Sequence, residues 1–335
     1  MNEYHYLQLN RKQRTYYKKI INAVANGDSD VRPFAFVGSE EIIKIAKAVN
    51  YDHPELFYVD FQHLDFLETP IGVVYQINYT VKASNRSFVV EQFEKKISDI
   101  LKEADQSNLR GEYEKCRWVH NYLIRHIKYN YEALKRPDEY QDSFNVKGAI
   151  IDGLAVCEGV SKAFKLLCDR LGVNTIIAFG RSTQDNFGVE ISHAWNMVRL
   201  NDEYVHVDVT WDMGMSEISK FTRYDYFCVS DRWMLLDHEY SSFPVCKTDE
   251  YSYFSKRNRY FISKKELRDY LSTELKKGSP ILYFKINVSK DSIVAIQDKV
   301  QKQVSRTISL GMHSIYYLEM APNAKQMCFF FRIKQ

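Results

Sequence analysis

The sequence predicts an α+β fold in which one buried helix, beginning at a cysteine, packs against an antiparallel sheet. Two observations lead to this prediction. Apolar residues recur at helical spacing after Cys157 and stop at Gly172. Three strand-like runs follow within 173–209, and only Asn201-Asp202 separates the last two, which is the length of a tight hairpin turn. A helix followed by a hairpin is typical of an α+β domain.

Composition places the chain among ordinary globular proteins. It has 335 residues, enough for two or three domains, and its 45% hydrophobic content supports a sizeable core. The net charge of +3 is too small to indicate nucleic acid as the main partner. The six cysteines include no Cys-x-x-Cys pair, so their pattern predicts neither a zinc site nor a disulfide scaffold.

No apolar run reaches the ~20 residues that a membrane span requires, and no signal peptide is visible at the start. We therefore expect no membrane span and a cytoplasmic location. The sequence leaves a trimmed secreted form open, and it does not determine the oligomeric state.

Residues 1–108 are predicted to form a small N-terminal α+β domain without a catalytic constellation. Ser39 is the expected N-cap of its second helix. The predicted helices are 11–26, 39–49 and 90–104, and the predicted strands are Leu56–Val59 and Val73–Val81.

Residues 109–245 are predicted to form the catalytic core, and 246–335 a C-terminal α/β domain for which a ferredoxin-like arrangement is one option. In the core we expect a helix at 109–129, loops at 130–150 and after Trp211, and a strand at 224–230; Asp212 is taken as a turn or cap residue. The C-terminal domain should contain a helix opened by a capping box at Ser263, a strand at Ile281–Ile286, a helix at 290–306, and strands at Ser314–Met320 and Met327–Ile333.

Cys157 is the candidate nucleophile because it lies at the start of the buried helix. The unpaired amides and positive partial charge of a helix N-terminus stabilise a thiolate relative to a thiol. The backbone N–H of Cys157 is also placed to donate to an oxyanion. The competing interpretation is a buried structural thiol.

His193 and Asp208 are the candidate base and orienting carboxylate. With a two-residue turn, Trp195 faces Asp208, and His193 lies diagonal to Asp208 on the same face of the hairpin. A thiol, an imidazole and a carboxylate can form a nucleophile, its base and the group that orients the base. The alternatives are a strand histidine packed beside Trp195 and a carboxylate at a strand edge; Trp195 itself is expected to pack around the site.

These residues lie in three segments that together resemble the transglutaminase-like superfamily, and more narrowly its microbial, bacterial members. The resemblance covers about 110–245. Its segments are Gly153-Leu154-Ala155-Val156-Cys157-Glu158-Gly159, Ser192-His193-Ala194-Trp195-Asn196 and Val205-His206-Val207-Asp208-Val209-Thr210-Trp211-Asp212. The segments Tyr226-Phe227-Cys228-Val229-Ser230 and Asp237-His238 resemble the stretch that often follows this core.

The resemblance implies a fold similar to that of papain-like cysteine proteases, with Cys157 as nucleophile, His193 as base and Asp208 as orienting carboxylate. The sequence departs from relatives at Ser143-Phe144-Asn145-Val146-Lys147-Gly148, where Asn145 is the candidate for the second oxyanion donor.

The expected function is that of a cysteine-dependent amide hydrolase or acyl transferase acting through a thioester on a peptide or protein, with hydrolysis favoured over cross-linking. The alternative is a catalytically inactive interaction or scaffold module. No cofactor is expected. No metal requirement is expected either, because neither a calcium-binding loop nor zinc-ligand spacing is present.

Overall fold

The computed structural model describes residues 3–32, 37–70, 72–183, 190–287, 293–311 and 317–334. The chain forms two compact units. Unit 1 comprises residues 1–179 and 193–201, and unit 2 comprises 180–192 and 202–335. Helices and strands occur in both units, which confirms the predicted α+β class. The division into domains at 108 and 245 stays a prediction.

The N-terminal part of unit 1 packs helices against a small antiparallel sheet around a core that includes Tyr17, Ile20, Ile42 and Tyr75. The sheet has the strand order β1-β3-β2. The helices are α1 (Tyr4–Leu7), α2 (Arg11–Asn26), α3 (Ser39–Asp52) and α4 (Ala83–Gln106), and the strands are β1 (Asp30–Val31), β2 (Asp65–Thr69) and β3 (Gly72–Gln76).

Helix α2 coincides with its prediction, because a capping box formed by Asn10 and Gln13 begins it and Gly27, with φ +77°, ends it. Two other predictions in this region were wrong. Leu56–Val59 is a turn with one isolated bridge rather than a strand. The cap of α3 is Gly38, and Ser39 is the first helical residue.

Helix α4 begins seven residues before the predicted position, and the strand predicted over Val73–Val81 ends at Gln76. The first turns of α4 are mostly exposed and polar, so they show no apolar periodicity. Strand β2 was missed because none of its residues is buried.

The second part of unit 1 contains the predicted nucleophile helix. Segment 130–150, predicted as a loop, holds several short helical turns that are too brief and polar for periodicity to indicate. The elements are α5 (Gly111–His126), β4 (Lys128–Tyr129), α6 (Tyr131–Lys135), 3₁₀ turns at Pro137–Glu139 and Gln141–Phe144, a π-helical turn at Gly148–Asp152, β5 (Leu154–Ala155) and α7 (Cys157–Arg170). The short strands β4 and β5 pair in parallel.

The strands after α7 follow the predicted order, and the turn at 201–202 places Asn201 at φ +54°, as a tight hairpin turn requires. These strands are β6 (Thr175–Thr183), β7 (Glu190–Leu200), β8 (Glu203–Val207), β9 (Phe227–Val229) and β10 (His238–Glu239). Within unit 2, β8 pairs antiparallel with β9, and His238 of β10 pairs with Ser182.

The loop predicted after Trp211 is wrong, because helix α8 occupies Val209–Ser219. Its buried side includes Asp212, Ser216 and Ser219, and a polar buried face gives no apolar periodicity. Asp208 is therefore the N-cap of α8 rather than a strand residue, and Asp212 is a buried helical residue rather than a turn or cap.

The C-terminal part of unit 2 has a four-stranded sheet with the order β11-β12-β14-β13. Ser263 and Glu266 form the predicted capping box. Residues 290–292 and 314–316, for which a helix and a strand were predicted, lie outside the described residues. The elements are α9 (Asp231–Met234), α10 (Tyr253–Lys256), β11 (Tyr260–Phe261), α11 (Lys264–Lys276), β12 (Ile281–Ile286), α12 (Ile293–Gly311), β13 (Tyr317–Met320) and β14 (Cys328–Lys334).

None of the helices in the described part of the chain is both long and apolar enough to cross a bilayer.

Candidate active site

Cys157 is the first residue of α7, as the sequence predicted. All six cysteines are free thiols, and Cys157 is half-buried whereas the other five are buried. The N–H groups of the first helical turn have no intrahelical acceptor, so they are available to an anion at this position. Cys157 therefore combines accessibility with a position at a helix N-terminus.

A short 3₁₀ turn holds the beginning of α7 in place. The Val156 N–H donates to the carbonyl of Ser143 at 3.0 Å, and the ammonium of Lys162 donates to the carbonyl of Phe144 at 3.0 Å. A Cβ atom on Gly159 would lie 2.4 Å from the Ser143 oxygen. Glycine is therefore required at 159, because only glycine lets the helix approach this turn so closely.

Glu158, next to the candidate nucleophile, is bonded on several sides. Its carboxylate pairs with the ammonium of Lys162 at 2.7 Å and accepts from Asn50 at 3.3 Å and from Gln62 at 3.3 Å. Burial raises the pKa of Tyr51, and the negative charges of Glu158 and Cys157 raise that pKa further. The N-terminal part of unit 1 thus supplies neighbours of the nucleophile that no sequence motif indicated.

A cleft lies beside this group within unit 1. Apolar and polar side chains share its wall, with Leu56, Phe57 and Phe144 on the apolar side. The polar lining residues include Asn50, Asp60, Gln62, Gln141, Asn145 and Lys162.

Asn145 lines this cleft, but its side chain also stabilises the local backbone. Its Oδ1 accepts from the N–H groups of Lys147 at 2.8 Å and Gly148 at 3.4 Å, and its Nδ2 donates to Asp142 at 3.3 Å. A role for Asn145 as oxyanion donor stays a prediction.

His193 lies on β7 in unit 1 and is buried. Its ring stacks on Trp195, with centroids 5.9 Å apart and planes at 17°. On the same strand, the Asn196 amide donates to the carbonyl of Ser161 in α7 at 3.0 Å and to that of Ile176 in β6 at 3.4 Å. These bonds join the histidine strand to the nucleophile helix.

Asp208 lies in unit 2 and is completely buried. As N-cap of α8 it accepts from the Trp211 N–H at 3.0 Å. Its other oxygen is 3.1 Å from Nε2 of His238, whose Nδ1 is 2.7 Å from Asp237. The partnership with His238 was missed; the one signal for it was the similarity of Asp237-His238 to the stretch that follows the core in related sequences.

A second cluster in unit 2, with two buried residues and one half-buried residue, could hold a metal ion. His206, Asp231 and Cys246 each offer a ligand atom, and these atoms lie within 4.8 Å of one another. Nε2 of His206 is 2.9 Å from Asp231, and the Tyr240 hydroxyl donates to the same Asp231 oxygen at 2.6 Å. These residues are too far apart in sequence to form a recognisable metal motif. The expectation of metal-independent activity stays a prediction.

Comparison with known proteins identifies the domain. Residues 101–209 match the model of the transglutaminase-like superfamily. Kyphoscoliosis peptidase of Mus musculus is 30% identical over 134 residues, which cover 38% of this chain and 19% of the relative. Its counterpart in Homo sapiens is 29% identical over 134 residues, with the same coverage of each chain, 38% and 19%. The match thus spans about a fifth of the length of these curated relatives.

Two solved structures show weaker likeness. One, described as a TGase, is 14% identical with a TM-score of 0.30, and covers 52% of this chain and 48% of its own. The other, a putative cysteine protease from Cytophaga hutchinsonii, is 11% identical with a TM-score of 0.27, and covers 44% of this chain and 61% of its own. TM-scores this low do not establish a shared fold. The similarity to a family therefore rests on the sequence match over residues 101–209. The chain thus contains, at residues 101–209, a domain that is similar to the transglutaminase-like superfamily.

Proposed function

We propose that the chain is a cysteine-dependent amide hydrolase or acyl transferase in which Cys157, His193 and Asp208 act together. The observation that carries the proposal is the position of Cys157, the one cysteine of six that is not buried, at the start of a helix. Its location at a helix N-terminus favours the nucleophilic thiolate. The match to the transglutaminase-like superfamily supports this interpretation.

In the proposed reaction, the Cys157 sulfur attacks the carbonyl carbon of an amide while His193 accepts the thiol proton. The backbone N–H of Cys157 donates to the oxyanion that forms. His193 then returns the proton to the leaving amine, and the acyl group remains on the sulfur as a thioester. Water attacks the thioester, releases the acid and regenerates the thiol. Asp208 orients the imidazole and stabilises its cation.

We propose a peptide or protein as the substrate. Cys157 is half-buried rather than enclosed, which leaves its thiol accessible to the amide of a larger molecule. The name of the curated relative, a peptidase, supports the same substrate class. Hydrolysis is favoured over cross-linking, since cross-linking requires a channel that admits an amine and excludes water.

The second candidate function is an inactive module that docks a partner. Iodoacetamide labelling at neutral pH separates the two. A reactive enzyme should be labelled at Cys157 much faster than at its five buried cysteines, whereas equal, slow labelling of all six would favour the inactive module.

Mass spectrometry of a glutamine-containing peptide incubated with the protein and a lysine donor tests the reaction type. We expect deamidated or cleaved peptide, and no product from Cys157→Ala. A dominant isopeptide product would replace hydrolysis by cross-linking. Equal product from Cys157→Ala would overturn the covalent mechanism.

A further inference from the structure

A buried chain of hydrogen bonds in unit 2 continues beyond Asp208. Nε2 of His238 is 3.1 Å from Oδ2 of Asp208, and Nδ1 of His238 is 2.7 Å from Oδ1 of Asp237. The side chains of all three residues are completely buried. The imidazole ring thus faces a carboxylate at each nitrogen, and no catalytic step proposed above uses it.

The contacts of the two carboxylates show how the protons are arranged. The second oxygen of Asp237 accepts from the Tyr226 hydroxyl at 2.8 Å and from the Gln326 amide at 3.0 Å. The second oxygen of Asp208 accepts from the Trp211 N–H at 3.0 Å. Both carboxylates are therefore placed as acceptors, and His238 satisfies both when each of its nitrogens carries a proton. The ring is then a cation.

Two aromatic rings pack around the imidazole. The indole of Trp211 lies 4.6 Å from the imidazole centroid in a tilted arrangement, and the Tyr226 ring lies at 5.8 Å in an edge arrangement. Other charged groups also act on this cluster within unit 2. The buried ammonium of Lys285 and the carboxylate of Asp237 attract each other. The pKa of His206 is lowered mainly by burial and further by the charge of His238.

We propose that His238 is a positioning residue that holds the carboxylate of Asp208 in a fixed orientation. The inference rests on the proposed role of Asp208 as the carboxylate of the catalytic group. Nε2 of His238 contacts one oxygen of Asp208, and the Trp211 N–H donates to the other. Both oxygens are therefore held, as a carboxylate that orients another group requires.

The same bonds give the C-terminal region a role at the site. Gln326 donates to Asp237 at 3.0 Å and to the carbonyl of Trp233 at 2.9 Å, and Asn323 donates to the Tyr226 hydroxyl at 3.2 Å. Asp237 is thus held by residues from the loop before β14. Gln326 therefore helps to orient Asp237, Asp237 helps to orient His238, and His238 in turn holds Asp208.

NMR of histidine-labelled protein tests the protonation state without requiring activity. We expect the His238 resonances, assigned with His238→Gln, to show two protonated nitrogens at neutral pH. Asp237→Asn should convert them to the neutral pattern. His63 is the matched control, because it is exposed beside Asp60 and Asp138 and should exchange its proton with solvent as pH rises. A neutral His238 in the wild-type protein would overturn the proposal.

Kinetics test the functional part. Asp237→Asn and His238→Gln should each lower kcat roughly 10-fold with KM unchanged, by analogy with groups that orient an active-site ligand. Each should also shift the pH profile of Cys157 alkylation. His126→Gln, on α5, is the control and should match wild type.

The outcomes separate the two proposals. If Asp208→Asn retains wild-type activity, the proposed catalytic role of Asp208 fails. If Asp208→Asn is impaired while Asp237→Asn and His238→Gln behave as wild type, the role of His238 fails alone. Should His238→Gln not fold, Asp237→Asn, which preserves the shape of the side chain, decides.

Discussion

Cys157 in unit 1 and Asp208 in unit 2 differ in their exposure to solvent. Cys157 is half-buried, and the neighbouring Glu158 is held by Asn50, Gln62 and Lys162, which line a small cleft. Asp208 has no exposed surface and is joined to His238. The first region leaves its thiol partly exposed, whereas the second has no exposed surface at Asp208.

The difference is what the proposed function requires. A nucleophile must be accessible to its substrate. A carboxylate that only orients another group benefits from a fixed, dry environment in which its electrostatic effect is strong. Unit 2 contains another completely buried charged pair. The guanidinium of Arg223 forms two hydrogen bonds with Asp225, at 3.1 and 2.8 Å.

The largest expected effect is on the accessible region. Cys157→Ala and His193→Ala should each abolish amide hydrolysis and acyl transfer, because removing either member of such a catalytic group removes nearly all of its activity. The melting temperature of Cys157→Ala should stay close to that of wild type, since the thiol is half-buried. Turnover and thermal unfolding of the purified variants provide the measurement. If Cys157→Ala turned over substrate as fast as the wild-type protein, a covalent role for Cys157 would be contradicted.

The next effect concerns the sealed region. Asp208→Asn should lower kcat strongly, but less than loss of the thiol, because it removes charge and leaves the nucleophile in place. Asparagine is also a good N-cap, so α8 should remain stable, whereas Asp208→Ala should lose a further ~1 kcal/mol of stability. Comparing kcat and unfolding free energy for the two variants separates charge from capping. Equal activity of Asp208→Asn and wild type would exclude Asp208 from the catalytic group.

Buried ion pairs provide a comparison in stability alone. Asp225→Asn should destabilise the protein by about 3–5 kcal/mol, because Arg223 would remain buried without its counter-charge. Glu158→Gln should cost only about 1–3 kcal/mol, because Glu158 is partly exposed and Lys162 retains the carbonyl of Phe144. Urea unfolding of both variants measures the difference. The reverse order of destabilisation would mean that unit 2 is not the more tightly sealed region.

The smallest effect is the pH dependence of unit 1. Burial lowers the pKa of His5 to about 4, from 6.5 in the unfolded chain. The unfolded state binds the extra proton, so stability is fully present above pH 6.5 and falls by up to ~3 kcal/mol as pH decreases to 4. Burial raises the pKa of Asp52 to about 6, from 3.8, which stabilises the folded state increasingly as pH falls through the same range.

The two effects oppose each other, so the wild-type profile should be shallow. His5→Phe, which keeps a ring beside Tyr51 and Phe179, should remove the destabilising part and make stability increase as pH falls from 6 to 4. Unfolding free energies measured across this range decide. An unchanged slope in His5→Phe would show that His5 does not titrate with folding.

Local signals were sufficient wherever one element carried its own pattern. The capping box at Ser263 and the apolar stripe after Cys157 placed α11 and α7 correctly, because capping and periodicity depend on neighbouring residues. The turn at Asn201-Asp202 was equally local. The same reasoning failed for α8, whose buried face carries Asp212 and Ser216, and for β2, which buries none of its residues.

The sequence by itself thus determined the α+β class, the nucleophile helix and the three candidate catalytic residues, since spacing and residue chemistry identify these. Tertiary structure alone decided which groups surround them. Glu158 meets Asn50 across 108 positions of sequence, and Asp237 meets Gln326 across 89. Such contacts depend on how the chain returns to the same point in space, and no local pattern records that return.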